Sequence, residues 1–467
     1  MKQVSVTLST YTADVSGVCS ALYELGGMVV IHDPSGCNST YNTHDEPRWY
    51  DMDSLVFISG LSQMDAIMGN DDKFIKDIVR AARELNPKFI ALVRTPIPLM
   101  TGTDFEGIAR VIKKQTGIPV FYFPTTGMQT YVRGAGMALE TVARKLVEDI
   151  AQHNINKRSR LTEDTAQYNT DKDSEMTKSP VVNKAQEKTE HGAAYVSSDE
   201  IKNDTGEKAK HKKYKINILG ATPLDFSVNS TIDSIKEFLG KYFDIISTFA
   251  MGSSIEDIQK AGQADVNLVI SSVGVPAARV LEERFHTPYV IGTPIRGFEN
   301  IIVEKLLETA WNGKSETAYL EVTGKRKKDD TGDLDNLIED IQKAGEAFRA
   351  IDKLASAIKE SQKGTENKVY IIGEAVTSQS LKAALALKHG IDSTVICPLE
   401  TEPEYIGKNV LLLSSEEEIK EALFDAQVVI ADPIYQTICS ENMHFIPLPH
   451  EAFSGRIYRK EIPDLAK

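Results

Sequence analysis

Few residues in this chain are of a type and setting that could do chemistry. There are four cysteines, Cys19, Cys37, Cys397 and Cys439, and no CxxC pair among them. Such sparse, scattered thiols make no disulfide scaffold; in a reducing compartment they are free thiols or metal ligands. Cys37 has the most suggestive setting, at the end of IHDPSGC (31–37), after an apolar strand pattern and ahead of the polar loop NSTYNTHDEPRWY. A Pro-Ser-Gly turn bends the backbone sharply and presents the thiol at the carboxyl end of a strand, where open α/β sheets place their ligands. A thiolate there, with the backbone of Ser35 and Gly36 beside it, is placed to bind iron. Cys19 falls on a predicted helix facing a core and reads as a small buried hydrophobe. Cys397, in VICPLE after a strand, and Cys439, in YQTICSENMHF after a short helix, read as structural. His444 and His450, in HFIPLPH, flank a proline-rich loop suited to line a cleft between domains, although loop histidines are more often structural than ligands. GxGxxG and GxxxxGK[ST] are both absent, and TGMQTYVRGAG (126–136) has the wrong glycine spacing for a phosphate loop, so no nucleotide is expected on this chain.

These positions need a frame. Short apolar, β-branched runs alternate with amphipathic stretches through most of the chain, the pattern of parallel sheets with crossover helices. In the first block, residues 1–150, strands are predicted at Met28–Ile31, Leu55–Ser59, Lys88–Leu92 and Val120–Phe123, with helices near 15–25, 71–85, 103–116 and 133–150. From 151 to 212 the pattern gives way to NKRSRLTEDTAQYNTDKDSEMTKSPVVNKAQEKTE, poor in large apolar residues, which predicts a disordered linker or insertion. The second block, 213–325, carries strands at Tyr214–Leu219, Val266–Ile270 and Tyr289–Ile291. The third, 326–467, opens on a long helical pattern, about Leu334 to Glu360, and carries strands at Lys368–Ala375, Ser393–Ile396, Val410–Leu413 and Val428–Ala431. The fold class that follows is α/β, with three Rossmann-like domains built on parallel sheets.

Bulk properties narrow the function. A chain of 467 residues with 41% hydrophobic content has room for several domains, each with its own core. A formal net charge of −14 sets up a field that repels phosphate backbones, so nucleic acid is not an expected partner. No stretch reaches 18 uninterrupted apolar residues and the first residues lack a signal-peptide pattern, so no membrane association and a cytoplasmic location are expected.

Read in order, several segments resemble nitrogenase component 1 proteins. GVCSALYELGGMVVIHDPSGC resembles the family's helix, strand and loop ending in a cluster-binding cysteine, and DSLVFISGLSQMDAIMGNDDKF its following strand and acid-to-glycine stretch, with Asp65 and Gly69 in the characteristic places. ALVRTPIPLMTGTDFEGIARVIKKQTGIPVFYFPTTGM resembles the next strand, cluster loop, helix start and GIPV strand. LEERFHTPYVIGTPIRG is similar to a later passage of the family, with His286 standing where glycine is usual.

The resemblance implies a nitrogenase component 1 architecture and an oxidoreductase subunit. It would accept electrons from an ATP-dependent iron–sulfur reductase, as a homodimer or as a heteromer with a paralogous component 1 subunit. Typical members take three cysteines per subunit from the first domain to hold an iron–sulfur cluster, here expected as [4Fe–4S], at the subunit interface. Cys37 falls on one such position. Thr95 replaces a second thiol, and near the position of the third Asp14 is the only plausible donor. The implied metal ligands are therefore Cys37 and Asp14, with Ser35, Gly36, Thr95, Gly102 and Asp104 as cofactor-binding residues. Residues 213–325 hold no cysteine, which makes a dinitrogenase the least expected activity. The other function class consistent with one retained thiol is a non-catalytic scaffold, metallocofactor carrier or degenerate regulatory subunit of such a complex.

Overall fold

A computed structural model describes residues 6–34, 46–149, 213–320, 350–361 and 368–467. Ser35, Gly36 and Cys37, the polar tract 151–212 and most of the predicted helix from Leu334 lie outside the described residues.

Strand β1 (Met28–His32) is buried along its whole length, as a central parallel strand with helices on both faces must be. It pairs in parallel with β2 (Val56–Ile58) on one side and β3 (Ile90–Arg94) on the other, and β4 (Val120–Phe123) completes the order β2-β1-β3-β4. The chain winds one way from β1 to β2 and the other way through β3 and β4. The loops after β1 and β3 therefore diverge and leave a crevice, the topological switch point of the sheet. Six helices surround it: α1 (Asp14–Leu22), α2 (Gln63–Met68), α3 (Asp71–Leu85), α4 (Pro96–Thr101), α5 (Phe105–Thr116) and α6 (Tyr131–Lys145).

The second sheet has the order β6-β5-β7-β8-β9, from β5 (Lys215–Ala221), β6 (Asp244–Ala250), β7 (Val266–Val269), β8 (Tyr289–Ile291) and β9 (Glu316–Thr317). Its helices are α7 (Pro223–Phe226), α8 (Thr231–Leu239), α9 (Ile255–Gln259), α10 (Val275–Phe285) and α11 (Glu299–Asn312). α10 ends at His286 with φ 55°, a left-handed position that favours glycine and accounts for the usual family residue there. The third sheet repeats the plan as β12-β11-β10-β13-β14, from β10 (Val369–Ile372), β11 (Thr394–Cys397), β12 (Val410–Leu412), β13 (Val428–Ala431) and β14 (His444–Pro447). It carries α12 (Ala350–Ser361), α13 (Ala375–His389), α14 (Glu416–Ala422) and α15 (Glu451–Ser454). All pairings within the three sheets are parallel, and the three Rossmann-like units are as the apolar periodicity predicts. Three strands escaped that reading, β6, β9 and β14.

Described residues of 1–148, 214–325 and 348–467 form one body. At its centre is α6, which packs on α1 and on α10 of the second unit. α1 and α6 cross so closely that only glycine fits on either side. A Cβ on Gly134 would lie 1.8 Å from the carbonyl oxygen of Asp14, and one on Gly17 would lie 2.3 Å from that of Tyr131. That crossing sets Asp14 and Tyr131, one at the start of each helix, in fixed register.

Candidate functional site

The carboxyl ends of β1, β3 and β4 form a rim tied together by short polar side chains. Thr95, fully buried, donates its hydroxyl to the carbonyl of His32 at 2.9 Å and to Asp33 Oδ1 at 2.5 Å. Thr125 Oγ1 donates to the carbonyl of Arg94 at 2.5 Å, while the Arg94 guanidinium donates to the carbonyls of Thr125 and Pro124, each at 3.1 Å. His32 holds Ser59 at 2.8 Å through Nδ1 and stacks on Phe74 at 3.9 Å. Burial pushes its pKa down to about 4, so its ring is neutral at physiological pH.

Asp14 is fully buried at the start of α1. Its Oδ1 accepts the N–H groups of Val15 and Gly127, both at 2.8 Å, and its Oδ2 accepts that of Thr126 at 2.8 Å. Three backbone amides thus occupy the carboxylate and clamp the loop after β4. Gly102 ends α4 at φ 73°, and the Asp104 carboxylate accepts the Gly107 N–H at 2.9 Å to cap α5. Those two residues shape the loop beyond α4 instead of meeting Asp14 and Thr95. The structure therefore brings Asp14, Thr95 and the last described residues before Cys37 to one rim, with the two expected stand-ins for thiols facing protein donors and acceptors. Asp65 takes Lys73 at 2.7 Å and Ser62 at 2.6 Å, and Gly69 closes α2 at φ 69°.

Outside the rim lies an apolar surface. α2 buries none of its residues and exposes Met64, Ile67 and Met68 at 65%, 69% and 73%. It packs on α4, which exposes Met100 at 85%; Gly127 abuts Pro96 at the start of α4, carrying Met128 beside it at 82% exposure. So much flexible apolar surface in one place marks an interaction face.

A second site lies between the second and third sheets, with Tyr131 at the start of α6 reaching Asp225 behind its wall. Its polar residues come from switch points: Asp225 after β5, Glu374 after β10 and Asp432 after β13, with His450 from the loop after β14. They line a cavity of about 60 Å³ whose remaining wall is largely apolar and includes Ile462 and Leu465 near the carboxyl end of the chain. Tyr131 Oη donates to Asp225 Oδ1 at 2.5 Å, and Thr222 and Ser271 donate to Oδ2 at 2.8 and 2.9 Å. Burial, reinforced by the nearby Glu374 carboxylate, pushes the Asp225 carboxyl up to about 7. His450 Nδ1 accepts the Ala452 N–H at 3.3 Å, which leaves the proton on Nε2, 3.8 Å from Asp225 Oδ1. Burial lowers this histidine to about 4, so the ring is neutral.

Of the two histidines expected at a cleft, only His450 reaches it. His444 is exposed at the amino end of β14, the opposite end of that strand. The remaining described cysteines are inert by setting: burial pushes Cys397 up to about 12 and Cys439 up to about 11, and raises Cys19 as well. The sequence reading missed Asp225, Glu374 and Asp432. Their signal was an acid within a few residues of an apolar strand, in ILGATPLD, YIIGE and VVIAD.

The family model of the nitrogenase component 1 type oxidoreductases matches residues 16–308. One of the subunits of the light-independent protochlorophyllide reductase of Nostoc punctiforme is 37% identical over 94 residues, 19% of this chain and 18% of that protein. The nitrogenase iron-molybdenum cofactor biosynthesis protein NifE of Klebsiella pneumoniae is 27% identical over 101 residues, 21% of this chain and 22% of that protein. The chain thus aligns with only about a fifth of the length of these curated relatives. Among solved structures, nitrogenase Cp1 at pH 6.5 superposes with a TM-score of 0.60 at 13% identity, covering 100% of this chain and 91% of that one. At that identity the likeness carries the fold, while the family model, matching more than half of the residues, carries the assignment: the chain belongs to the nitrogenase component 1 type oxidoreductase family.

Proposed function

We propose that this chain is a component 1 subunit of a nitrogenase-like complex, taking electrons from an ATP-dependent iron–sulfur reductase at its first-domain rim and using them on a substrate at the domain junction. The observation that carries this reading is the apolar surface of α2, α4 and the Met128 loop around the rim from which the Cys37 segment departs. A reductase or second component 1 subunit seated there would exclude water from an interfacial cluster.

Fit to such a cluster is incomplete within one chain. Among the described residues no group of three His, Cys, Asp or Glu stands ready to hold a metal. Thr95 Oγ1 is engaged by Asp33 and the His32 carbonyl, and Asp14 is filled by amides, so of these three positions Cys37 alone offers a thiolate. A [4Fe–4S] centre usually wants four ligands, so the remainder would come from a partner chain, and a cysteine-richer paralogue suits this better than a second copy. When bound, such a cluster supplies one-electron transfer. In this reading Asp14 acts as a positioning residue that holds the Thr126–Gly127 loop, and Thr95 joins the ends of β1 and β3. Gly102 and Asp104 shape the loop beyond α4, Ser35 and Gly36 stay cofactor-binding candidates outside the described residues, and a cytoplasmic location belongs to the same proposal.

The commitment of Asp14 and Thr95 to hydrogen bonds within the protein also favours a second reading, a non-catalytic scaffold or degenerate subunit that keeps the docking face without the cluster. Anaerobic purification of the chain alone and with co-expressed genomic neighbours, with iron counting and electron paramagnetic resonance, separates the two. A reducible iron signal in the co-purified complex supports the redox subunit. A stable complex without iron, after anaerobic reconstitution, assigns the scaffold role instead.

A further inference from the structure

Methionine is an apolar side chain with chemistry of its own, a thioether whose sulfur lone pairs can be oxidised. The chain has 11 methionines. Among the described residues the exposed ones all fall between Met52 and Met128, and four of them, Met64, Met68, Met100 and Met128, stand on the apolar face, each exposed by 65% or more. The elements that carry the four are in contact, since α2 packs on α4 and Gly127 abuts Pro96 at the start of α4. Elsewhere the thioethers are covered: Met28 is fully buried, Met251 is 8% exposed, and Met137 and Met443 pack against the core.

The described thiols are withdrawn from oxidation. Cys19 and Cys397 are buried and Cys439 is half-buried, and burial raises all three, Cys397 to about 12 and Cys439 to about 11. The thiolate is the form that attacks an oxidant, and these residues do not form it at neutral pH. A thioether needs no ionisation, so the exposed methionines are the described sulfurs open to a peroxide. We propose that Met64, Met68, Met100 and Met128 form a reversible oxidation site, whose conversion to sulfoxides by a peroxide turns the docking face polar and keeps the partner chain from seating. This rests on reading the face as the docking surface, and it names how that surface is regulated.

In each event a sulfur lone pair attacks one peroxide oxygen. The O–O bond breaks, an S–O bond forms, and the other oxygen leaves as water or an alcohol; sulfur gives up two electrons and the peroxide takes them. Return to the thioether uses a dithiol reductant, which removes the oxygen as water and is left as a disulfide. A sulfoxide oxygen accepts hydrogen bonds, and docking would bury it against an apolar surface without a donor. Four such groups act on one interface. The fold is left alone, because side chains so exposed contribute little burial and α2 buries none of its residues.

The test treats the full-length chain anaerobically with tert-butyl hydroperoxide, then with a thiol-dependent methionine sulfoxide reductase, and measures association with the partner from its genomic neighbourhood. Peptide mass mapping should place oxygen on the four face methionines ahead of Met28 and Met251. In sedimentation velocity the oxidised chain should associate about tenfold more weakly or worse, with association restored by the reductase and the urea midpoint unchanged. A chain carrying Met64→Leu, Met68→Leu, Met100→Leu and Met128→Leu keeps the apolar volume without the sulfur, so it should associate like the untreated protein and hold that association through the peroxide. Equal association before and after oxidation of the four sites, an oxidant effect of the same size in the leucine variant, or a lowered urea midpoint in the oxidised chain overturns the proposal. Association that the untreated chain lacks, or that Met64→Ser with Met68→Ser leaves unchanged, sinks the docking reading and this proposal with it. Association lost to serine but kept after oxidation sinks this proposal alone.

Discussion

The first-domain rim and the domain junction occupy equivalent places, at switch points on the carboxyl side of parallel sheets, yet the surfaces they leave open differ. At the rim the polar groups face inward and are consumed by backbone, as with Asp14 on Val15, Thr126 and Gly127, and the outward face is methionine and isoleucine. At the junction the carboxyls are likewise taken up within the protein, Asp225 by the hydroxyls of Tyr131, Thr222 and Ser271 and Glu374 by the N–H groups of Val376 and Thr377, but the surface they support is a small, largely apolar cavity. An open apolar face suits a macromolecular partner, and a small cavity suits at most a small ligand. Position in the fold is thus shared, and side-chain placement decides what each position can do.

The contrast is most severely broken at the α1–α6 crossing, which holds both sites in register. Gly134→Ala forces a Cβ into the Asp14 carbonyl, and we expect a loss on the order of 3 kcal/mol or more, or failure to fold. Urea denaturation measures it; a loss within 0.5 kcal/mol, roughly the scale of a surface substitution, would mean that the crossing is not rigid.

Asp225 separates the sites through pH. Its carboxyl is raised in the folded state, from an ordinary 3.8 to about 7, so the folded protein holds this proton more tightly than the unfolded chain does. The resulting stability is fully present below about pH 4 and is lost as pH rises through about 7, a change on the order of 2–4 kcal/mol. His32 and His450 act oppositely: both are lowered to about 4, so their contribution is present above about 6.5 and lost as pH falls through about 4. Asp225→Asn should remove the decline on the alkaline side and keep the acid one. A pH–stability profile identical to wild type would contradict the buried-acid assignment.

Asp14→Ala leaves one buried amide and two part-buried ones without their acceptor, with an expected cost of about 1–3 kcal/mol. Iron per complex should stay at the wild-type level in whatever fraction folds. Iron that falls while stability holds would instead make Asp14 a ligand.

The smallest effect on stability belongs to the exposed face. Replacing Met64, Ile67 and Met68 by serine should each change folding stability by no more than about 0.5 kcal/mol, because α2 buries nothing. Together they should weaken association with the partner chain at least tenfold in sedimentation velocity. Unchanged association would move the docking surface elsewhere.

Much of this frame is legible in the sequence because central parallel strands are uninterrupted apolar runs. Val120–Phe123, Tyr289–Ile291 and Val428–Ala431 are observed with the predicted bounds. β6 escaped notice because DIISTFA, buried only from Ser247 onward, carries Ser247 and Thr248, whose polarity breaks the run, and β14 because HFIP ends in proline. α4 was hidden by the two prolines of PIPLMT, which are tolerated in a first turn. The rim was partly legible, since Thr95 and Asp14 were singled out, but not that their oxygens would be committed to the rim's own hydrogen bonds. The junction was nearly invisible. Asp225, Glu374 and Asp432 lie far apart in sequence, and only the packing of the second unit on the third brings them together.

The most direct test of the central claim is iron content and electron paramagnetic resonance of the anaerobically purified complex in four versions, with Cys37→Ser, Cys19→Ala, Cys397→Ala or Cys439→Ala. The account predicts that Cys37→Ser alone removes the iron and its reduced-state signal, while the other three keep both, at a stability cost of roughly 1 kcal/mol for Cys397→Ala. Full iron and an unchanged signal in Cys37→Ser, or no iron in the reconstituted wild-type complex, would contradict it.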